Sequence, residues 1–267
     1  IMKIPFFSDS KPKKVGIALS GGAARGIAHI GVFKRLKELG INVHCMAGTS
    51  SGSLVGGLIA TGIDMDQMIK RVKKLRWLDI AGFTLSRTGM VSSKKLEKYM
   101  SRIIGKVHFS DLKIPFTALA TDILTGDPVE LNQPDLLLAT AVRASSSFPG
   151  VYPPVELYGR YLIDGGASTN IPVQTVRNMG ADFVIAVDVI PDIKIDKLPK
   201  NLALMVDRGL DLLLRRHRLG LDADIILQPM VEHVSSFDMR NPEKLIQMGI
   251  DSVDANIHSI KKQILDA

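Results

Sequence analysis

The apolar positions of this chain follow two rhythms: short unbroken runs, and longer stretches with an apolar position every three or four residues. The first rhythm fits strands buried on both faces, the second fits helices with one buried face. KKVGIALS at 13–20 reads as a buried strand. A glycine-rich turn follows, and then Ile27, Ile30, Val32, Phe33, Leu36 and Leu39 share a broad helical face that stops at Gly40. Residues 43–47 make a second apolar run, followed by GTSSGS and the small-residue helix SLVGGLIATG. Strand, helix, strand, helix is the pattern of a parallel sheet covered by helices.

The same reading extends down the chain. Met65, Met68, Ile69, Val72 and Leu75 fall on one face of a helix over 64–76, with Lys70, Lys73 and Lys74 largely off it. A helix over 92–103 is expected with Ser92 or Ser93 as its cap. PFTALATDI predicts a strand, TGDP a turn and PVEL the returning strand. PDLLLATAVRAS predicts a helix with Pro134 near its start. LYGRYLIDGG predicts a strand pair around Gly159 that ends in a tight turn at Asp164. Pro172 opens a further helix, and ADFVIAVDVI is the clearest central strand. Residues 201–218 read as a helix, ADIILQP as another strand and 242–264 as a closing helix. No compositional step or internal repeat divides the chain, so one α/β domain over 13–267 is expected behind a loose arm over 1–12.

Charge sharpens this picture in one place. The net charge is +7, and residues 61–115 hold twelve Lys or Arg against five Asp or Glu, an excess equal to that of the whole chain. Trp77, Leu78, Ile80 and Phe83 lie in the same region. A solvated helix face over a core is one reading; a basic cover or membrane-facing surface over 63–112 is the other. Nucleic acid is not expected as a partner, because no exposed aromatics interleave with the basic charge. The single cysteine, Cys45, excludes an intrachain disulfide and reads as a small core residue. No run of 18 apolar residues occurs. The expected location is cytoplasmic, with peripheral contact to an anionic membrane as its extension. No cofactor and no metal are expected, and composition does not fix an oligomeric state.

The candidate chemistry lies at the strand ends. GTSSG places Ser50 between Gly48 and Gly52, directly after an apolar strand. A serine nucleophile must stand clear of the backbone, and a sharp strand-to-helix turn flanked by glycines achieves this. The following helix aims its N-terminus at the site. LSGGAARG forms a second strand-to-helix turn, where Gly21, Gly22, Ala23 and Ala24 offer backbone N–H groups to an oxyanion. Arg25 either holds this turn, meets a phosphate or faces solvent. The loop lacks G-x-G-x-x-G and G-K-[ST], which argues against a nucleotide. Asp164 ends a strand ahead of two glycines and is the candidate base. A Ser-Asp-His triad is the rival, with His233 after ADIILQP as its histidine and His217 and His258 on helices. Residue chemistry leaves dyad and triad open. Asp122, Asp127 and Asp188 are strand-end acids that read as caps or turn residues.

Four blocks, SGGAARGIAHIGVFKRL, GTSSGSLVGGLIATG, AVRASSSFPGVYPPV and LIDGGASTNIPV, occur here in this order over roughly 13–190. In them the chain resembles the small single-domain bacterial members of the patatin-like phospholipase family. The resemblance implies a three-layer sandwich around a mostly parallel central sheet. It implies a Ser50–Asp164 dyad without histidine, and an oxyanion hole at Gly21, Gly22, Ala23 and Ala24 with Arg25 as its basic residue. It places Arg143, Ser146 and Pro149 near the acyl pocket, although small residues at a helix end followed by Pro149 and Gly150 read first as a close-packed bend, and it makes phospholipid, lysophospholipid or another lipid ester the substrate. The family usually carries glycine where this chain has Ala23. A weakly active or silent lipid-binding protein is therefore the competing expectation.

Overall fold

The computed structural model describes residues 13–80, 82–83, 91–192 and 198–265. The arm expected over 1–12 lies outside them, as does part of the 63–112 region. Strands β1 (Val15–Leu19) and β2 (Val43–Thr49) are joined through a 3-10 turn at Ala23–Ile27 and helix α1 (Ala28–Glu38). Helix α2 (Ser51–Ala60) follows β2 after a single residue. Helices α3 (Met65–Val72), α4 (Trp77–Ile80) and α5 (Lys94–Ile104) come next, with the short paired strands β3 (Gly82–Phe83) and β4 (Val91–Ser92) between the last two. Strand β5 (Phe116–Asp122) returns to the main sheet and β6 (Pro128–Leu131) folds back on it. Helix α6 (Leu138–Ser145) leads to the hairpin of β7 (Val155–Leu157) and β8 (Arg160–Asp164). Then come α7 (Val173–Asn178), β9 (Phe183–Val187), α8 (Leu202–Arg215), β10 (Ile225–Leu227), α9 (Pro242–Ala255) and α10 (Ile257–Ile260).

The main sheet has eight strands in the order β10-β9-β1-β2-β5-β8-β7, with β6 also paired to β5. The first five are mutually parallel, and the remaining three add antiparallel pairings at one end. Alternation along the strands sorts side chains to two faces. Ile17, Met46, Phe116 and Ile185 enter the larger core, which α1, α2, α5, α6 and α9 help to build. Ala18, Cys45, Ala47 and Ala186 enter a thinner core with Val173 and Val176 of α7. Helices therefore cover both faces, as a sheet of continuous apolar strands requires. Helices α1 and α9 cross without side chains at the crossing. A Cβ on Gly31 would lie 1.9 Å from the Ile246 carbonyl oxygen, and one on Gly249 2.0 Å from that of Ala28.

Three expected elements change. Residues 134–137 are not helical: the Pro134 carbonyl accepts the Ser110 N–H, that of Leu136 accepts the Phe109 N–H, and His108 bridges to Leu137. Pro134 and Asp135 form a turn closed by the Leu136 N–H on the Gln133 carbonyl, only Leu137 is extended, and α6 begins at Leu138. The closing helix breaks at Asn256 (φ −107°, ψ 7°) into α9, α10 and a π-helical end. The helix expected to Arg76 stops at Val72 after a start capped by Asp64, whose side chain accepts the Gln67 N–H.

Register on β5 fixes where the candidate residues meet. Thr49, at the end of β2, pairs with Leu119. Asp164, at the end of β8, pairs with the adjacent Ala120. Because β6 pairs with Ala118–Thr121 throughout, β2 and β8 must share the opposite edge of β5. They run in opposite senses along it, so their last residues arrive at one point. Among the described residues no helix is long and apolar enough to cross a membrane.

Candidate active site

Ser50 occupies the one-residue corner between β2 and α2 with φ 52° and ψ −119°, a conformation that L residues rarely hold. Close packing enforces the corner. A Cβ on Gly48 would stand 2.4 Å from the Gly52 carbonyl oxygen, and one on Gly52 2.3 Å from that of Leu19. Both glycines exist so that strand, corner and helix can lie against each other. Ser145 completes the clamp: its Oγ donates to the Leu119 carbonyl at 2.5 Å and accepts the Ser50 N–H at 3.0 Å.

Asp164 is buried at 5% exposure beside this corner. Burial pushes its carboxyl up to about 6, against a hydrogen bond from the Ser50 side chain and one from the Gly166 N–H, which favour the charged form. The Gly166 N–H to Oδ1 distance is 2.8 Å. Gly165 permits the tight exit from β8, since its Cβ would stand 2.3 Å from the Leu119 carbonyl oxygen. The carboxyl is thus desolvated, oriented and next to the hydroxyl.

The glycine-rich loop narrows the donor set. The Gly21 N–H already donates to the Asn170 side-chain Oδ1 (3.1 Å) and backbone oxygen (3.4 Å). The Ala24 N–H donates to the Ser236 carbonyl at 2.9 Å. Among the described residues, only the N–H groups of Gly22 and Ala23 within this four-residue set lack an acceptor, and both residues line the cavity. Ala23 pays for its place with φ 51°. Arg25 is neither a surface residue nor open to a phosphate. It is buried, donates to both carboxylate oxygens of Asp211 (2.6 and 3.2 Å) and to the Val234 carbonyl (2.7 Å), and lies 3.8 Å from Asp207. It pins the loop to α8.

These groups share one cavity of about 740 Å³. Ser50, Asp164, Gly21, Gly22, Ala23, Ala24, Ser146, Pro149 and Asn170 all border it. Much of the rest of its wall is apolar, with Ile30, Leu58, Met68, Val72, Leu96 and Phe148 among its residues. The described part of the 63–112 region therefore supplies cavity wall through α3, α4 and α5, while Lys70, Lys73 and Lys74 face outward. Arg143, expected near the acyl pocket, instead pairs its guanidinium with Glu97 of α5 at 2.9 Å and does not border the cavity. It sits on the side of α6 that packs on α5, whereas Ser146 just past the helix end reaches the site.

His233 is exposed and borders no part of the cavity. Among the described residues, no histidine hydrogen-bonds to Ser50 or Asp164; His217 does border the cavity, and burial holds its pKa below the usual value. His29 is fully buried; desolvation lowers it to about 4, and its Nε2–H donates to the Ser20 carbonyl at 2.9 Å. Asp122 and Asp188 accept the N–H two residues on and behave as turn acids, Asp188 also pairing with Arg218. Asn170 is the residue that sequence reasoning does not single out. Its role depends on a contact across the sheet edge, which no spacing rule encodes.

Fold and site define an α/β protein with a serine and a buried carboxyl meeting at a strand junction beneath an apolar cavity. The chain belongs to the patatin-like phospholipase family, whose profile matches residues 17–177. An uncharacterized NTE family protein of Mycobacterium tuberculosis is 37% identical over 183 residues, covering 67% of this chain and 50% of that protein. The match to Lysophospholipase NTE1 of Scheffersomyces stipitis is 33% over 181 residues, covering 66% of this chain and 12% of that protein. The chain thus matches about half the length of its mycobacterial relatives. Two solved structures share the fold. VipD from Legionella pneumophila superposes with a TM-score of 0.59 at 13% identity, over 94% of this chain and 67% of that one. Human GIVD cytosolic phospholipase A2 in complex with methyl gamma-linolenyl fluorophosphonate gives 0.57 at 11% identity, over 95% and 58%.

Proposed function

We propose that the chain is a serine acyl-ester hydrolase acting on lipid esters, phospholipid or lysophospholipid, through a Ser50–Asp164 dyad. The observation that carries this reading is the Ser50 hydroxyl beside a buried carboxyl whose pKa is raised to about 6, at the wall of an apolar cavity. A carboxylate tuned upward is a stronger base than a solvated one and is still ionised at neutral pH.

The steps follow from the geometry. Asp164 accepts the Ser50 Oγ proton as Oγ bonds to the ester carbonyl carbon. The oxyanion is met by the N–H groups of Gly22 and Ala23. Collapse breaks the ester bond, and the leaving alkoxide takes the proton from Asp164. Water then enters, gives a proton to Asp164 and attacks the acyl-enzyme; Ser50 recovers that proton as the carboxylic acid departs. The competing reading, a silent lipid-binding protein, rests on Ala23. Its N–H has no acceptor among the described residues, which favours the active form.

We further infer that the protein works in the cytoplasm and meets its substrate at an anionic membrane surface, consistent with the outward-facing Lys70, Lys73 and Lys74. The test is hydrolysis of short p-nitrophenyl esters, followed by digestion of a lipid extract analysed by mass spectrometry. Wild type is expected to release fatty acid, and Ser50→Ala to lose about four orders of magnitude in turnover with its fold intact. Full activity in Ser50→Ala overturns the assignment.

A further inference from the structure

Helix α8 is inside out. Its two acids, Asp207 and Asp211, point inward at 5% exposure each, while Met205, Leu212 and Leu213 point outward at 44%, 49% and 63%. At helical spacing, Met205, Gly209, Leu212 and Arg216 form one outer stripe opposite those acids. A surface helix ordinarily has the reverse arrangement, so the outer face is built for contact with something apolar. The inner acids are explained by Arg25, which they hold.

The cavity identifies what that contact is. Val206, Leu213 and Phe237 border the cavity and are also exposed, so its mouth opens beside the outer face of α8. Arg71 and Arg216 border the cavity as well, are exposed, and form no ion pair with a described residue. Leucines around a mouth with two unpaired arginines match a layer of anionic headgroups above acyl chains.

We propose that the outer face of α8 is the docking surface for an anionic lipid bilayer, seating the cavity mouth on the bilayer. This deepens the reading of the site as a lipid-ester hydrolase and rests on it for the substrate. It moves the apolar contact from the basic 63–112 region to a helix far along the chain. The Arg25–Asp211 pair ties this helix directly to the loop carrying Gly22 and Ala23.

The test is sedimentation of the full chain with vesicles of phosphatidylcholine alone or mixed with phosphatidylglycerol. It is run on Ser50→Ala so that turnover does not enter. The mixed vesicles are expected to bind it more tightly, with affinity falling as salt rises. Adding Met205→Gln and Leu212→Gln, which do not border the cavity, should weaken binding about tenfold. In the Ser50 background the same pair should leave p-nitrophenyl ester hydrolysis unchanged while slowing release of fatty acid from vesicles. Met205→Glu alone serves if the double variant does not fold. Unchanged binding in these variants overturns the proposal. So does equal affinity for the two vesicle types, or a concentration-dependent dimer that the substitutions dissociate without affecting vesicle binding. Failure of wild type to hydrolyse the soluble ester counts against the enzyme reading and leaves the docking measurement intact.

Discussion

Ser50 at φ 52° and Ala23 at φ 51° hold strained backbone at the two turns that would bracket a reacting carbonyl. At Ser50 the strain presents the hydroxyl. At Ala23 a β-carbon adds strain that glycine would not carry, so Ala23→Gly should stabilise the fold by about 0.5–1 kcal/mol, read by chemical denaturation. Asp164 yields a prediction about pH. As a base it must be ionised, so kcat/KM should rise about tenfold per pH unit below a pKa of about 6 and level off above it. Stability runs the other way. The folded pKa is raised, so the Asp164 contribution is fully present below the ordinary value of 3.8 and is lost as pH climbs through about 6. Asp164→Asn, which keeps an acceptor for the Gly166 N–H, should therefore abolish activity and stabilise the fold above that pH by about 3 kcal/mol. At this scale glycine spacing and strand ends single out Ser50 and Asp164 as candidates, while the choice of a dyad over a triad with His233 comes from the family resemblance. Asn170 and the Ser145 clamp are not legible, because each acts through a contact distant in sequence.

Among the elements, α1 and α9 depend on two missing side chains. Gly249→Ala should cost about 3 kcal/mol, because the obstructing atom is the Ala28 backbone oxygen and cannot swing aside; thermal unfolding measures it. Helix α8 joins the loop through the Arg25–Asp211 pair. Asp211→Asn should lower kcat by about tenfold with KM little changed, since the loop would lose its register and not its apolar wall. Stopped-flow assay of soluble ester separates the two. Strands and most helices are readable because their apolar periods are clean, as in β9 and α1. The non-helical 134–137 is not, since hydrogen bonds from Phe109 and Ser110 outweigh a helical pattern there, and neither is the break at Asn256, where the side-chain amide turns back to the Ser252 carbonyl. The inverted polarity of α8 is visible in its sequence, but which face points inward depends on Arg25, distant in the chain.

At the scale of the whole molecule, the sheet does one decisive thing. It brings β2 and β8 head to head along a single edge of β5, with Thr49 and Asp164 opposite adjacent residues. The parallel half follows from the alternation of strands and helices. The antiparallel end, which delivers Asp164, follows from the hairpin through Tyr158 and Gly159, both at positive φ. The meeting itself is a matter of register, which no local pattern records. The most direct test is the site of covalent capture by a long-chain fluorophosphonate, mapped by mass spectrometry. The serine oxygen should displace fluoride, leaving the phosphonyl group on Ser50 in wild type and none on Ser50→Ala, with a far slower reaction in Asp164→Asn. Capture at another residue, or ester hydrolysis that persists while Ser50 stays unmodified, would contradict the account.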